Sequence, residues 1–89
     1  MVHHLPESYE TRLQVNKPDG RRAVKYIPAW LKRRIEMLGV RIKKTKGSLL
    51  VIDTPLERIK DLLPALQNTC RGQFSLVIRM SEELRQELQ

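Results

Sequence analysis

Residues 40–53, VRIKKTKGSLLVID, decide the fold of this 89-residue chain. Two aliphatic or β-branched runs, residues 40–44 and 49–53, flank a short polar segment that contains Gly47. Glycine adopts the positive φ that tight turns require, so the pattern predicts a β-hairpin. A helix-like segment lies on each side of this hairpin, and a strand-like run lies beyond each helix. The predicted order is therefore strand, helix, hairpin, helix, strand.

Upstream of the hairpin, the sequence predicts a second hairpin and then a helix. Residues 11–16 alternate between apolar and polar side chains, as a strand does, and residues 21–27 read as the return strand. Lys-Pro-Asp-Gly at residues 17–20 supplies turn chemistry between them. Pro28 is suited to the first position of a helix, because its missing N–H costs nothing there, and Gly39 is suited to the end.

Downstream, Thr54 and Glu57 have the spacing of a capping box, which predicts that a helix starts at Thr54. Pro64 interrupts the helical pattern, so we expect one kinked helix that ends at Gly72. Residues 73–80 then alternate as a last strand. Ser81 is the expected N-cap of a short C-terminal helix.

The resulting fold class is α+β. Strand–helix–strand occurs twice around the hairpin, which predicts a split β-α-β-β-α-β (ferredoxin-like) antiparallel sheet with two helices on one face. Residues 11–16 are expected to add an extra N-terminal edge strand. We expect three regions: a flexible N-terminal arm (1–10), a single α+β domain (11–80) and a C-terminal helical tail (81–89).

The composition limits the class of protein. An 89-residue chain is one small domain, and its 40% hydrophobic content is enough for a folded core. No apolar run approaches the roughly 20 residues of a membrane-spanning helix, and the N-terminus does not resemble a secretory signal. One cysteine cannot form an internal disulfide. These features favour a cytoplasmic protein.

The charge is strongly uneven along the chain. The net charge is +7, yet residues 12–46 alone carry twelve basic and two acidic residues, while residues 47–89 carry five basic and six acidic ones. Segregation of this kind points to a polyanionic partner such as nucleic acid, an anionic membrane surface or an acidic protein. The alternative is a solvated basic face that serves solubility, although solubility does not require the signs to be segregated.

Enzymatic chemistry has little support in the sequence. The chain has no glycine-rich phosphate loop, no carboxylates spaced for acid–base catalysis, and no histidine outside the N-terminal arm. We therefore expect a non-enzyme without cofactor or metal. His3 and His4 are compatible with a terminal Cu(II) or Ni(II) site or with no role, and Cys70 with a reactive thiol or a buried structural residue.

The basic residues are the candidate nucleic-acid-binding site. We expect Arg21, Arg22 and Lys25 on one strand, Arg33 and Arg34 on the next helix, and four further residues on the central hairpin. Few aromatic residues are present to stack bases, so phosphate contacts should dominate, and RNA cannot be told from DNA. The predicted nucleic-acid-binding residues are Arg21, Arg22, Lys25, Arg33, Arg34, Arg41, Lys43, Lys44, Lys46 and Arg79.

The competing hypothesis is a protein-interaction adaptor or a small subunit of a larger assembly. Leu49, Leu50, Val51 and Ile52 form an apolar run without alternation, so one pair should face the sheet side that the helices leave uncovered. An apolar patch with basic surroundings suits an acidic protein partner or a homodimer. Salt dependence of binding separates this hypothesis from phosphate binding.

Overall fold

The structure, a computed structural model, describes residues 8–89. It is an α+β fold with a four-stranded antiparallel sheet and three helices, which confirms the predicted class. A single 3-10 turn, Leu56–Arg58, precedes the second helix. The elements in chain order are β1 (Ser8–Asn16), α1 (Ala29–Glu36), β2 (Arg41–Lys46), β3 (Leu49–Pro55), α2 (Ile59–Asn68), β4 (Ser75–Met80) and α3 (Glu82–Glu87).

The first strand is central, and the prediction of an N-terminal edge strand was wrong. The strand order is β2-β3-β1-β4, so β1 pairs with both β3 and β4. It begins at Ser8, which gives residues 8–10 to the strand instead of the predicted arm. β1 is nine residues long and its side chains alternate, so one of its faces is buried. Its backbone is hydrogen-bonded to β3 on one side and to β4 on the other.

The expected return strand at residues 21–27 does not form, and this prediction was also wrong. The turn is present, since the Lys17 N–H donates to the Arg22 carbonyl at 2.7 Å, but pairing stops at one bridge between Asn16 and Ala23. The cause is that β3 and β4 already occupy the two edges of β1. The segment therefore leaves the sheet and leads into α1.

The central hairpin forms as predicted, with Gly47 at a φ of +57° in its turn. The register of β2 against β3 shifts between Ile42 and Lys44. Such a β-bulge inserts one additional residue into one strand. Here that residue is Lys43, and the bulge changes the direction in which its side chain leaves the strand.

Thr54 is not a helix cap, because β3 continues through it to Pro55. Pairing with the start of β1 holds it extended: Tyr9 is opposite Thr54, and Ser8 is opposite Pro55. The fully buried Thr54 hydroxyl donates to the Thr11 hydroxyl at 2.9 Å. The helix starts later than predicted, and α2 ends at Asn68 instead of Gly72.

The core is formed by the side chains on one side of the sheet together with side chains of α1 and α2. Because successive strand side chains alternate between faces, Leu13 and Val15 of β1 and Leu50 and Ile52 of β3 all lie on this side. Its fully or nearly fully buried members are Leu13, Val15, Ile27, Leu31, Ile35, Val40, Leu50, Ile52, Leu62, Leu66, Cys70 and Leu76. A smaller cluster of Tyr9, Ile59 and Leu84 attaches α3, whose predicted N-cap Ser81 accepts the Leu84 N–H at 3.2 Å.

Two side-chain contacts link elements that are distant in sequence. The Arg58 guanidinium donates to the carbonyls of Leu38 and Gly39, immediately after α1. The side-chain amide of Gln67, on α2, donates to the backbone carbonyl of Leu76, on the edge strand β4, at 3.3 Å. In residues 8–89, no helix is long and apolar enough to cross a membrane.

Candidate functional site

The second side of the sheet, which we call the outer face, carries the side chains that alternate with the core residues. Strand pairing brings the four strands into register, so this face can be read as rows that run across the sheet. Its residues are Glu10, Arg12 and Gln14 on β1, Arg41, Lys44 and Lys46 on β2, Leu49, Val51 and Asp53 on β3, and Ser75, Val77 and Arg79 on β4.

The middle row is strongly basic. Lys44 is opposite Val51, Val51 is opposite Arg12, and Arg12 is opposite Arg79. We call these four residues the basic row. Neighbouring strands are about 4.8 Å apart, so the row spans roughly 14 Å. Its three charged side chains are exposed and form a line of positive charge across the full width of the sheet.

The neighbouring row, nearer the turn of the β2–β3 hairpin, has a mixed composition with two apolar side chains. It contains Lys46, Leu49, Gln14 and Val77. The expected apolar patch is thus divided: Leu50 and Ile52 are fully buried in the core, while Leu49 and Val51 belong to the outer face. Val51 is only 8% exposed, so little of the patch is available to a partner.

Lys43 is the basic residue of the hairpin whose charge is already paired. Its Nζ lies 2.7 Å from Glu10 Oε1 and 3.8 Å from Asp53 Oδ1. The hydrogen bond between them lowers the pKa of Glu10 and raises the pKa of Lys43. Lys43 is therefore less available to a phosphate than Lys44 or Lys46, although all three were predicted as equivalent.

The structure brings together only part of the predicted basic site. Arg41, Lys43, Lys44, Lys46 and Arg79 lie on the outer face or at its bulge. The loop after β1 carries Arg21, Arg22 and Lys25, which are exposed but are not on a strand as expected. Helix α1, which contributes Leu31 and Ile35 to the core, carries Arg33 and Arg34.

Arg12 is a residue of the outer face that was not among the predicted nucleic-acid-binding residues. It lies at the centre of the basic row, between Val51 and Arg79. The alternation of residues 11–16 had placed its side chain away from Leu13 and Val15. Its place in the row depends on the central position of β1, whereas that strand was expected at the sheet edge.

The other sequence candidates give no site among residues 8–89. Cys70 is 2% exposed, and burial raises the pKa of its thiol, so the reactive thiolate is disfavoured at neutral pH. No group of three or more His, Cys, Asp or Glu residues in this part of the chain is arranged to hold a metal ion. His3 and His4 lie outside the described residues.

Comparison with known proteins provides no assignment: no protein-family model matches the chain, and no curated protein or solved structure matches it significantly.

Proposed function

We propose that this protein is a small, basic, non-enzymatic module that binds nucleic acid through phosphate contacts on the outer face. The observation that carries the proposal is the basic row, in which Arg12 and Arg79 are direct cross-strand neighbours. Like charges in this position destabilise a sheet. A polyanion bound across the row would turn this unfavourable pair into a favourable one.

A structural explanation accounts for only some of these charges. Edge strands commonly carry lysines that prevent pairing with other chains, and β2, with Lys44 and Lys46, is an edge strand. That explanation does not extend to Arg12, because β1 is central and paired on both sides. The pair Arg12–Arg79 therefore supports an anionic partner more strongly than the hairpin lysines do.

The composition of the outer face favours phosphate over base contacts. None of the residues that we assign to this face is aromatic, whereas sheets that read single-stranded RNA place aromatic side chains there. Contacts to phosphates position a nucleic acid without reading its sequence. We expect binding at the outer face to be weakly sequence-specific, with RNA and DNA both as ligands. The single cysteine supports a cytoplasmic location.

We also infer that the architecture is ferredoxin-like. In support, α1 connects β1 to β2, which are separated by β3, and α2 lies in the connection from β3 to β4, which are separated by β1. Each connection thus joins two parallel strands across one intervening strand. Such crossovers are almost always right-handed, which brings both helices to the same face.

A protein-interaction adaptor is the second candidate, and one observation favours it. Leu49 and Val77 lie in the same row of the outer face, beside positive charge. An acidic protein with a small apolar contact would fit this arrangement, as would a second copy of the chain. Its binding should depend much less on salt than phosphate binding does.

The decisive experiment changes charge on the outer face while it keeps the side-chain stems. We expect Arg12→Gln/Arg79→Gln to weaken binding to a fluorescent oligothymidylate and to a duplex. The slope of log affinity against log salt should become shallower by about 0.7 per lost contact on single strands and about 0.9 on duplex. Thermal stability should not fall, since the variant relieves repulsion between like charges.

Arg33→Gln/Arg34→Gln is the matched control, because it removes the same charge from α1, which contributes Leu31 and Ile35 to the core. We expect this control to retain most of the affinity and the slope of the parent. Equal losses in both variants would show that only net charge matters and would refute a site at the basic row. A parent protein that binds no nucleic acid at low salt would refute the proposed function as a whole.

A further inference from the structure

A groove of about 300 Å³ lies beyond the end of β1, beside the loop that follows it. Two aromatic rings, two lysines and two small apolar residues form its walls. Its lining residues are Lys17, Val24, Lys25, Tyr26, Pro28 and Phe74.

Tyr26 is not explained by packing. It is 74% exposed, although the next residue, Ile27, is buried in the main core. Phe74, by contrast, is half-buried and packs against Trp30, with the ring centroids 5.7 Å apart and the ring planes tilted by 39°. The groove thus has one ring held by packing and one ring that the fold leaves in water, whose apolar area would be buried only by a ligand.

The charges around the groove select an anionic ligand. Of the described residues that line it, two are lysines and none is acidic. Arg21 and Arg22 lie on the turn that leads into the same loop. The carboxylate of Asp19, in that turn, accepts the backbone N–H of Arg21 at 2.8 Å and so has a local structural role.

The groove is also close to the outer face. A Cβ atom placed on Gly47, at the tip of the β2–β3 hairpin, would lie 3.9 Å from the Lys25 carbonyl oxygen. Lys46 immediately precedes this tip and is the last basic residue of the hairpin on the outer face. A chain of phosphates that leaves the outer face past Lys46 would therefore reach the loop at Lys25, which lines the groove.

From these observations we propose that the groove binds one unpaired nucleobase, stacked on Tyr26, and that the nucleic acid ligand is single-stranded. This inference rests on the proposed function and specifies its ligand class. Proteins that bind single strands combine a basic track for the backbone with aromatic side chains on which bases stack. In a duplex the base would be paired and unable to enter the groove.

The test compares two ligands that have equal numbers of phosphates. One is an oligothymidylate of about 12 nucleotides, a length comparable to the sites of small single-strand-binding domains, and the other is an abasic strand of the same length. We expect the parent to bind the oligothymidylate roughly 5- to 140-fold more tightly, which is the contribution of one stacked base. A duplex of the same length should lack this advantage.

Tyr26→Ala should reduce affinity for the oligothymidylate by the same factor and leave affinity for the abasic strand unchanged. The salt slope should not change, because no phosphate contact is lost. Tyr26→Phe is the matched control, since it keeps the ring and should keep the affinity. Lys25→Ala should instead make the slope shallower for both ligands.

Equal affinity of the parent for the intact and abasic strands would overturn the inference and leave the proposed function standing. So would a Tyr26→Ala variant that keeps the preference for the intact strand. Failure of the parent to bind either strand at low salt would overturn both. The effect of Arg12→Gln/Arg79→Gln on the abasic strand tests the outer face separately, so the two failures are distinguishable.

Discussion

Lys43 shows how the local environment of one residue changes its expected role. The sequence places it within a run of basic residues, with no acidic residue between Glu36 and Asp53. In the fold, β1 brings Glu10 to 2.7 Å from its Nζ. The positive charge of the outer face is consequently carried by Arg12, Lys44 and Arg79 more than by Lys43.

Removal of the carboxylate should release this lysine. We expect Glu10→Gln to strengthen binding of oligothymidylate at pH 7 and to make the salt slope steeper by up to about 0.7, the value of one further phosphate contact on a single strand. Glu36→Gln on α1 is the control with the same charge change, and it should have the smaller effect. A Glu10→Gln variant that binds like the Glu36→Gln variant would show that Lys43 does not reach the ligand.

The effect should depend on pH in a defined direction. Because its hydrogen bond to Lys43 lowers the pKa of Glu10, the pair stabilises the fold above the ordinary glutamate pKa of about 4.3. This stabilisation is lost as the pH falls through the lowered pKa. The affinity difference between parent and Glu10→Gln should shrink over the same acidic range, which titrations at several pH values would measure.

At the scale of elements, the junction between α1 and β2 depends on a contact from another part of the chain. Gly39 has a φ of +85°, and the Arg58 guanidinium donates to its carbonyl from the 3-10 turn before α2. A Cβ atom at position 39 would lie 2.7 Å from Arg58 Nη1. An alanine would therefore strain the backbone and displace the arginine.

The cost of the backbone strain and the cost of displacing Arg58 can be separated by comparison with a second glycine of positive φ. Gly72 has a similar φ of +73° but has nothing within 4 Å of the position of a Cβ atom. We expect Gly72→Ala to cost about 1–2 kcal/mol of unfolding free energy through the backbone alone. Gly39→Ala should cost roughly 0.5–1 kcal/mol more, because the hydrogen bonds of Arg58 are lost as well.

Denaturant unfolding of Gly39→Ala and Gly72→Ala, each alone and combined with Arg58→Ala, would measure the backbone cost and the cost of losing the Arg58 hydrogen bonds. In the Arg58→Ala background the additional cost of Gly39→Ala should disappear, since the contact is already absent. An additional cost that persists there would assign the loss to the turn itself and not to Arg58.

At the scale of the whole molecule, the distribution of charge opposes self-association through the outer face. Two copies placed face to face would bring their basic rows together. The apolar area offered in return is small, since Val51 is nearly buried and Val77 is 37% exposed. Stable interfaces bury about 800 Å² per partner, with an apolar centre.

We therefore expect a monomer in sedimentation experiments at micromolar concentration, at both low and moderate salt. A dimer that Val77→Glu converts to monomer would contradict this expectation and support the adaptor hypothesis. Lys60→Glu on α2, which introduces the same acidic residue away from the outer face, is the control.

Local patterns predicted the elements, whereas long-range pairing determined their arrangement. The hairpin around Gly47, helix α1 and the cap at Ser81 follow from residues adjacent in sequence, and all three formed. The central position of β1 could not be predicted in this way, because it depends on partners far along the chain. Pairing with β1 also extended β3 through Thr54, where the capping-box pattern alone had predicted a helix.

The same distinction applies to the candidate site. Alternation along β4 was sufficient to assign Arg79 to the outer face. On β2, alternation alone would have placed Lys44 on the same side as Ile42, and only the bulge brings it to the outer face. Only the strand order brings Arg12 between Lys44 and Arg79, and only the bulge and the register bring Glu10 to Lys43. The groove at Tyr26 could not be predicted, because residues 21–27 were expected to form a strand.

The bond between Gln67 and the Leu76 carbonyl bears on how the protein behaves when it is crowded. An edge strand with free backbone groups can recruit a strand from another molecule and so begin fibril growth. Here one edge, β2, is charged, and at the other, β4, an amide from α2 already occupies a carbonyl. The charges of β2 thus oppose templated extension at one edge, and the Gln67 amide blocks one carbonyl at the other. Loss of this amide should make it easier for a strand of another molecule to pair with β4.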